Sequence, residues 1–182
     1  KAFRPRSPAE GKALLRRIHE AELEVVLQEY VPGPADRHVF LDGYVDRGGR
    51  GVALFCRRRL RMHPADFGDS SFAVSVARES VEPAVASLGR LLEGLAFRGI
   101  FSAEFKEDPR DGVFRLIEVN ARPWVHLGHA AACGVNMPLL AWRDLAGEDL
   151  VVDETYPVGK GFGFLFFDLP AARTLHLRGE LG

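Results

Sequence analysis

The sequence predicts an α+β fold in which mostly antiparallel sheets are packed with helices. Three observations lead there. Short runs rich in β-branched and aromatic residues come in pairs joined by tight turn clusters, as in Arg37 to Val45 and Val52 to Arg57 around Asp46-Arg47-Gly48-Gly49. Amphipathic segments of helical period lie between those pairs. Strand and helix do not alternate regularly, as they would in a parallel, doubly wound sheet.

Taken in order, Ser7-Pro8-Ala9-Glu10 starts a helix. Ser7 suits the cap, Pro8 the first turn and Glu10 a capping box. This helix is expected to run to Ala21 or Glu22. Glu24 to Tyr30 reads as a strand closed by Pro32-Gly33-Pro34. After the first hairpin, Met62 to Ser71 is polar and loop-like, and Phe72 to Ala77 reads as a strand. Glu82 to Phe97 is an amphipathic helix with Val85, Leu88, Leu91, Leu92 and Leu95 on one face. Phe101 to Lys106 and Val113 to Asn120 are strands around Asp108-Pro109-Arg110-Asp111-Gly112. Pro123 to Cys133 looks helical, and Asn136 caps a further helix that stops at Gly147. Gly161 to Phe167 reads as a last strand, with Asp168 and Pro170 opening a last helix.

The 182 residues, 47% hydrophobic and 27% charged, fit a soluble globular chain of one domain or two small lobes. A formal net charge of −1 argues against nucleic acid as a partner. The basic run Arg57, Arg58, Arg59, Arg61 reads as the solvated end of a strand. Cys56 and Cys133 lack metal-type spacing and read as small buried hydrophobes of a reducing, cytoplasmic compartment. No apolar run reaches the roughly 20 residues of a membrane helix. The chain starts at Lys1 without a methionine, so an upstream segment is expected.

The informative segment is Phe101 to Lys106 followed by Leu116 to Arg122. Side chains alternate faces along a strand, so Phe101, Ala103 and Phe105 share one face, and Ser102, Glu104 and Lys106 the other. A hairpin turning about Asp111 places Glu104 directly across from Glu118, with Asn120 adjacent. Opposed carboxylates repel, so something positive is expected between them. Two carboxylates and an amide oxygen are hard ligands suited to magnesium that bridges phosphates. The alternative is a solvent-facing hairpin with ordinary surface acids. His63, His126 and His129 lack a coherent ligand set and read as packing or substrate-pocket groups. Ser70 and Ser71 have no partner histidine at a motif spacing, which argues against a serine hydrolase.

Glu118-Val119-Asn120-Ala121-Arg122 resembles the E-x-N-x-R signature of the ATP-grasp superfamily. Glu104 sits where that superfamily places its other metal carboxylate. Val25 to Gly33, with Gln28-Glu29-Tyr30 and a Pro-Gly turn, looks like its adenine-packing hinge strand. The order Gln-Glu-Tyr, Pro-Gly, Glu-Phe-Lys and Glu-Val-Asn-x-Arg-Pro-Trp is similar to the carboxylate–amine ligase group that includes D-aspartate ligase. The resemblance runs from Lys1 to about Gly147.

It implies an ATP-grasp fold whose N-terminal part is missing. Residues 1–34 would be the remainder of the first lobe and the hinge strand. Residues 35–147 would be the second lobe with the ATP and magnesium site, and 148–182 an extension packed on it. Glu104, Glu118 and Asn120 would hold Mg2+, or Mn2+ in its place, on ATP. Gln28, Glu29, Tyr30 and Val31 would line adenine mostly through the backbone, and Asp36 would bind ribose. Arg122 would stabilise charge on the transferring phosphoryl group or the acyl phosphate. Arg59 and Arg61 stand where relatives carry a basic residue near the phosphates. The implied activity is a ligase that activates a carboxylate as an acyl phosphate and joins it to an amine, releasing ADP and phosphate. The alternatives are a carboxylase, a carbamoyl-phosphate-type enzyme, or a nucleotide-binding domain without turnover. Small-molecule carboxylates and amines are the implied partners, with no membrane, and a homo-oligomer is compatible. A phosphate-binding lysine strand and a glycine-rich loop, which the superfamily carries, are not recognisable in the sequence. The segment by itself is therefore expected to fold without enzyme-like turnover of ATP.

Overall fold

The computed structural model describes residues 3–64, 67–151 and 155–180, and the chain divides into two compact units, Lys1–Pro32 and Gly33–Gly182. In the first unit the regular element is α1 (Pro8–Glu20). Ser7 Oγ accepts from Glu10 N at 3.2 Å, while the Glu10 carboxylate turns back to Arg6 N at 2.6 Å rather than to Ser7, a displaced capping box. Residues 23–32 form no strand, contrary to the expectation for Glu24 to Tyr30. A strand needs a ladder partner, and this unit contains no other strand among the described residues. Within the same unit the Arg4 guanidinium lies 3.7 Å over the Tyr30 ring.

The second unit is built on β1 (His38–Val45), β2 (Gly51–His63), β3 (Asp69–Ser75), β4 (Gly99–Glu107), β5 (Phe114–Asn120) and β6 (Gly161–Gly163). They form a six-stranded sheet in the order β5-β4-β1-β2-β3-β6, with every paired strand antiparallel. The alternation expected for β4 holds. Phe101, Ala103 and Phe105 join Val39, Leu41, Val45 and Cys56 in one core, covered by Val81 and by Ala84 and Leu88 of α2 (Glu82–Gly94). On the opposite face Tyr44, Ala53 and Phe55 pack beneath α3 (Leu127–Ala132) and α4 (Met137–Leu145), through Ala130, Cys133, Val135 and Met137. Beyond Phe55 that face turns polar. α5 (Leu165–Arg178) packs on β2 and β3. No helix among the described residues is long and apolar enough to cross a membrane.

Several expected boundaries move. Met62 to Ser71 is mostly strand, because β2 and β3 extend toward each other; Ala65 and Asp66 of that segment lie outside the described residues. The expected strand Gly161 to Phe167 stops at Gly163, and α5 begins at Leu165, with Pro170 inside it. A run of four apolar residues carries no period that separates strand from helix. Here Asp168 settles the matter: its N–H bonds to Phe164 O at 2.8 Å while its carboxylate reaches Arg61. Pro123–His126 precede α3 rather than joining it, since Pro123 and the two turn residues before Leu127 leave no helical ladder.

Candidate active site

Direct pairing aligns the polar face of the sheet into rows. Asn120 faces Ser102, which faces Asp42; Glu118 faces Glu104, which faces Phe40, which faces Arg57. The two acids are thus neighbours on one face of adjacent antiparallel strands. The turn itself would not align them. From Glu107–Phe114 to Phe105–Leu116 the ladder runs one residue out of step, and a bulge at Ile117 restores the match at Glu104–Glu118. Bulges of this kind re-aim side chains beside functional sites.

The two carboxylates have unlike surroundings. Glu118 is exposed, and its Oε1 accepts from Asn120 Nδ2 at 2.8 Å. Glu104 is only 9% exposed. Its Oε1 takes His38 Nδ1 at 2.5 Å and lies 3.2 Å from Arg59 Nη1. Burial alone would raise the Glu104 pKa, but the His38 hydrogen bond and the Arg59 charge outweigh it, so its net shift is downward. Burial holds the His38 pKa below its ordinary value against the pull of Glu104, so near neutral pH the ring is uncharged and donates Nδ1–H to the carboxylate.

The basic run is not a solvated strand end. Arg57 and Arg59 are 1% and 5% exposed. Arg57 Nε bonds Asp42 Oδ2 at 2.7 Å, and Ser102 Oγ bonds Asp42 Oδ1 at 2.6 Å. Arg59 Nε bonds Ser70 Oγ at 2.8 Å. The Phe40 ring carries both guanidinium groups, at 3.9 Å and 4.9 Å from its centre. Arg61 is drawn elsewhere: it forks onto Asp168 at 2.8 and 2.6 Å. In the sequence, the alternation of positions 57 and 59 shows only that the two arginines share one face of the strand, not that this face is covered.

Arg122 lies just past β5, exposed, and bonds Pro123 O at 3.1 Å rather than either acid. Asp36 sits in a short 3₁₀ turn over Ala35–Arg37, its side chain exposed and its carbonyl held by Arg58 Nη1 at 2.8 Å. Gln28, Glu29 and Tyr30 are exposed and Val31 is buried, all in the first unit. His126 and His129 serve packing, their Nε2 atoms on Ser70 O at 2.8 Å and Lys160 O at 2.9 Å.

No cluster of three His, Cys, Asp or Glu side chains suited to a metal occurs among the described residues. The oxygen set Glu104, Glu118 and Asn120 nevertheless fits a magnesium ion that takes its remaining ligands from phosphates and water. One oxygen of each carboxylate is occupied within the protein, and no described hydrogen bond reaches the other oxygens or Asn120 Oδ1.

No protein-family model matches the chain. It is 27% identical over 161 residues to D-aspartate ligase of Enterococcus faecium, covering 86% of this chain and 37% of that enzyme. Among solved structures, the biotin carboxylase domain of a thermophilic 2-oxoglutarate carboxylase bound to bicarbonate superposes with a TM-score of 0.65 at 18% identity, covering 88% of this chain and 38% of the other. N5-carboxyaminoimidazole synthetase from Staphylococcus aureus complexed with ADP gives 0.55 at 15%, covering 74% and 35%. The chain therefore spans less than two-fifths of the length of these relatives.

Proposed function

We propose that this chain, which belongs to the ATP-grasp superfamily, supplies the metal-binding part of an ATP-dependent ligase that activates a carboxylate as an acyl phosphate and joins it to an amine. The observation that carries the reading is the Glu104–Glu118 pairing, with Asn120 beside it on one face. Mg2+, or Mn2+ in its place, would neutralise charge on the ATP phosphates. Glu104 and Glu118 each offer one carboxylate oxygen, and Asn120 offers Oδ1. Arg122, exposed and unattached to either acid, reaches developing negative charge on the transferring phosphoryl group. Gln28, Glu29, Tyr30 and Val31 take the role of adenine-lining residues and Asp36 that of the ribose ligand; both assignments rest on the sequence resemblance. The residues hold and orient, and no side chain needs to form a covalent intermediate. The substrates are small carboxylates and amines, in a cytoplasmic protein.

A second reading keeps this site and makes bicarbonate the acid, the molecule bound in the biotin carboxylase neighbour. Calorimetry of ATP binding with and without Mg2+, on wild-type full-length gene product and on Glu118→Gln, tests the metal role. Equal magnesium-dependent affinity in the two would overturn it. ADP release against a panel of amino acids, with bicarbonate as a separate arm, distinguishes the two reactions.

A further inference from the structure

Glu104 differs from Glu118 in one respect that the metal role does not require: its Oε1 is held from two sides by groups that are themselves held. Arg59 is fixed by Ser70 Oγ on Nε and by the Phe40 ring under its guanidinium. Ser70 is fixed in turn, its carbonyl on His126 Nε2. His38 comes from β1, whose ladder with β4 places it two residue pairs from Glu104, on the same face. Both donors reach the same oxygen, and Oε2 is left for a ligand. Turning the carboxylate to present both oxygens would leave a buried cation and a part-buried donor without their partner, which is costly.

We propose that His38 and Arg59 are positioning residues that restrict Glu104 to one coordinating oxygen and thereby tune the site toward a small octahedral divalent ion and against calcium. Calcium takes about 6–8 oxygens and often a bidentate carboxylate, whereas magnesium keeps near-octahedral geometry with one or two carboxylates and phosphates. The inference rests on the metal–nucleotide reading above. Contacts behind a metal ligand typically change affinity by about 10–100-fold when removed.

The test uses the full-length gene product with ADP. Mn2+ binding is read by electron paramagnetic resonance, and Ca2+ by its competition with Mn2+. His38→Phe keeps a ring and removes the donor; His38→Asn restores a donor near the Nδ1 position; Arg59→Met removes the second contact. The expected result is a fall of about tenfold or more in the Mn2+-to-Ca2+ affinity ratio for His38→Phe and Arg59→Met. The ratio should recover toward wild type in His38→Asn. A general loss of structure would weaken both ions together and leave the ratio unmoved, and if Arg59→Met fails to fold, the two His38 variants decide. A folded His38→Phe protein with an unchanged ratio overturns the proposal. Wild-type protein that binds no Mn2+ in the presence of ADP overturns the metal–nucleotide reading itself, and the proposal with it.

Discussion

Replacing Asp42 by Asn should destabilise the sheet unit by about 3–5 kcal/mol, the cost of leaving a buried charge without its partner. An exposed ion pair would be worth under about 1 kcal/mol, but here the side chains of Arg57 and Asp42 are 2% and 0% exposed, so water cannot screen the loss. The guanidinium cannot shed its proton, and its Nη1 is already buried without a hydrogen-bond partner. Arg57→Met should cost less. It strands a carboxyl whose pKa full burial already pushes upward against Arg57 and Ser102, and which escapes by taking a proton. The double variant should be more stable than Asp42→Asn alone, because it removes the orphaned cation. Urea unfolding followed by tryptophan fluorescence reads this directly, since Trp124 and Trp142 both lie in the sheet unit. With a slope of about 2 kcal/mol/M, the Asp42→Asn midpoint should fall by roughly 1.5–2.5 M. A fall below about 0.5 M at unchanged slope, or strict additivity in the double variant, would refute the reasoning and indicate that Asp42 carries its proton in the folded protein.

Glu118→Gln should leave the urea midpoint nearly unchanged, within about 0.5 kcal/mol, because the side chain is exposed, while magnesium-dependent ATP binding is lost. Gly43→Ala would place its Cβ 2.4 Å from Phe101 Cζ and 2.7 Å from Ala53 O, so a destabilisation of about 2–3 kcal/mol is expected in the same urea assay. The Arg61 fork, helped by Ser71, holds the Asp168 pKa below the usual carboxylate range. That stability is present above the unfolded carboxylate pKa and is lost as pH falls through the lower folded value. Urea midpoints measured from pH 5 downward should therefore drop less steeply in Asp168→Asn than in wild type, and parallel curves would count against the ion pair.

The acidic pair was legible because the alternation of β4 and the Asp108–Gly112 turn constrain nearby residues. Even so, counting about Asp111 reaches Glu118 only because Ile117 bulges, and a bulge leaves no clear mark in composition. The burial of Arg57 and Arg59 was not legible. Arg59 meets Glu104 across the intervening strand β1, so the contact depends on the strand order β4-β1-β2, which local patterns do not encode. Phe164 to Phe167 misled for a different reason: bulky apolar residues favour strands on average, while a helix terminus was decided by the distant Arg61. Segment 24–30 has strand-like residues but no neighbouring strand among the described residues of its own unit, and composition cannot supply one.

The strand order also sets a schedule for synthesis. β4 and β5 form a local hairpin, and on its own that hairpin would bring two like charges together. Yet β1 and β2, which carry His38 and Arg59, precede it in the chain and pair with each other through a turn of a few residues. On a ribosome the donors therefore emerge first, and the acidic hairpin docks onto a surface already equipped to receive it. A circular permutation that moved β4 and β5 ahead of β1 would keep the final contacts but reverse that schedule. Its signature would be slower refolding of a nascent chain with little change in final stability.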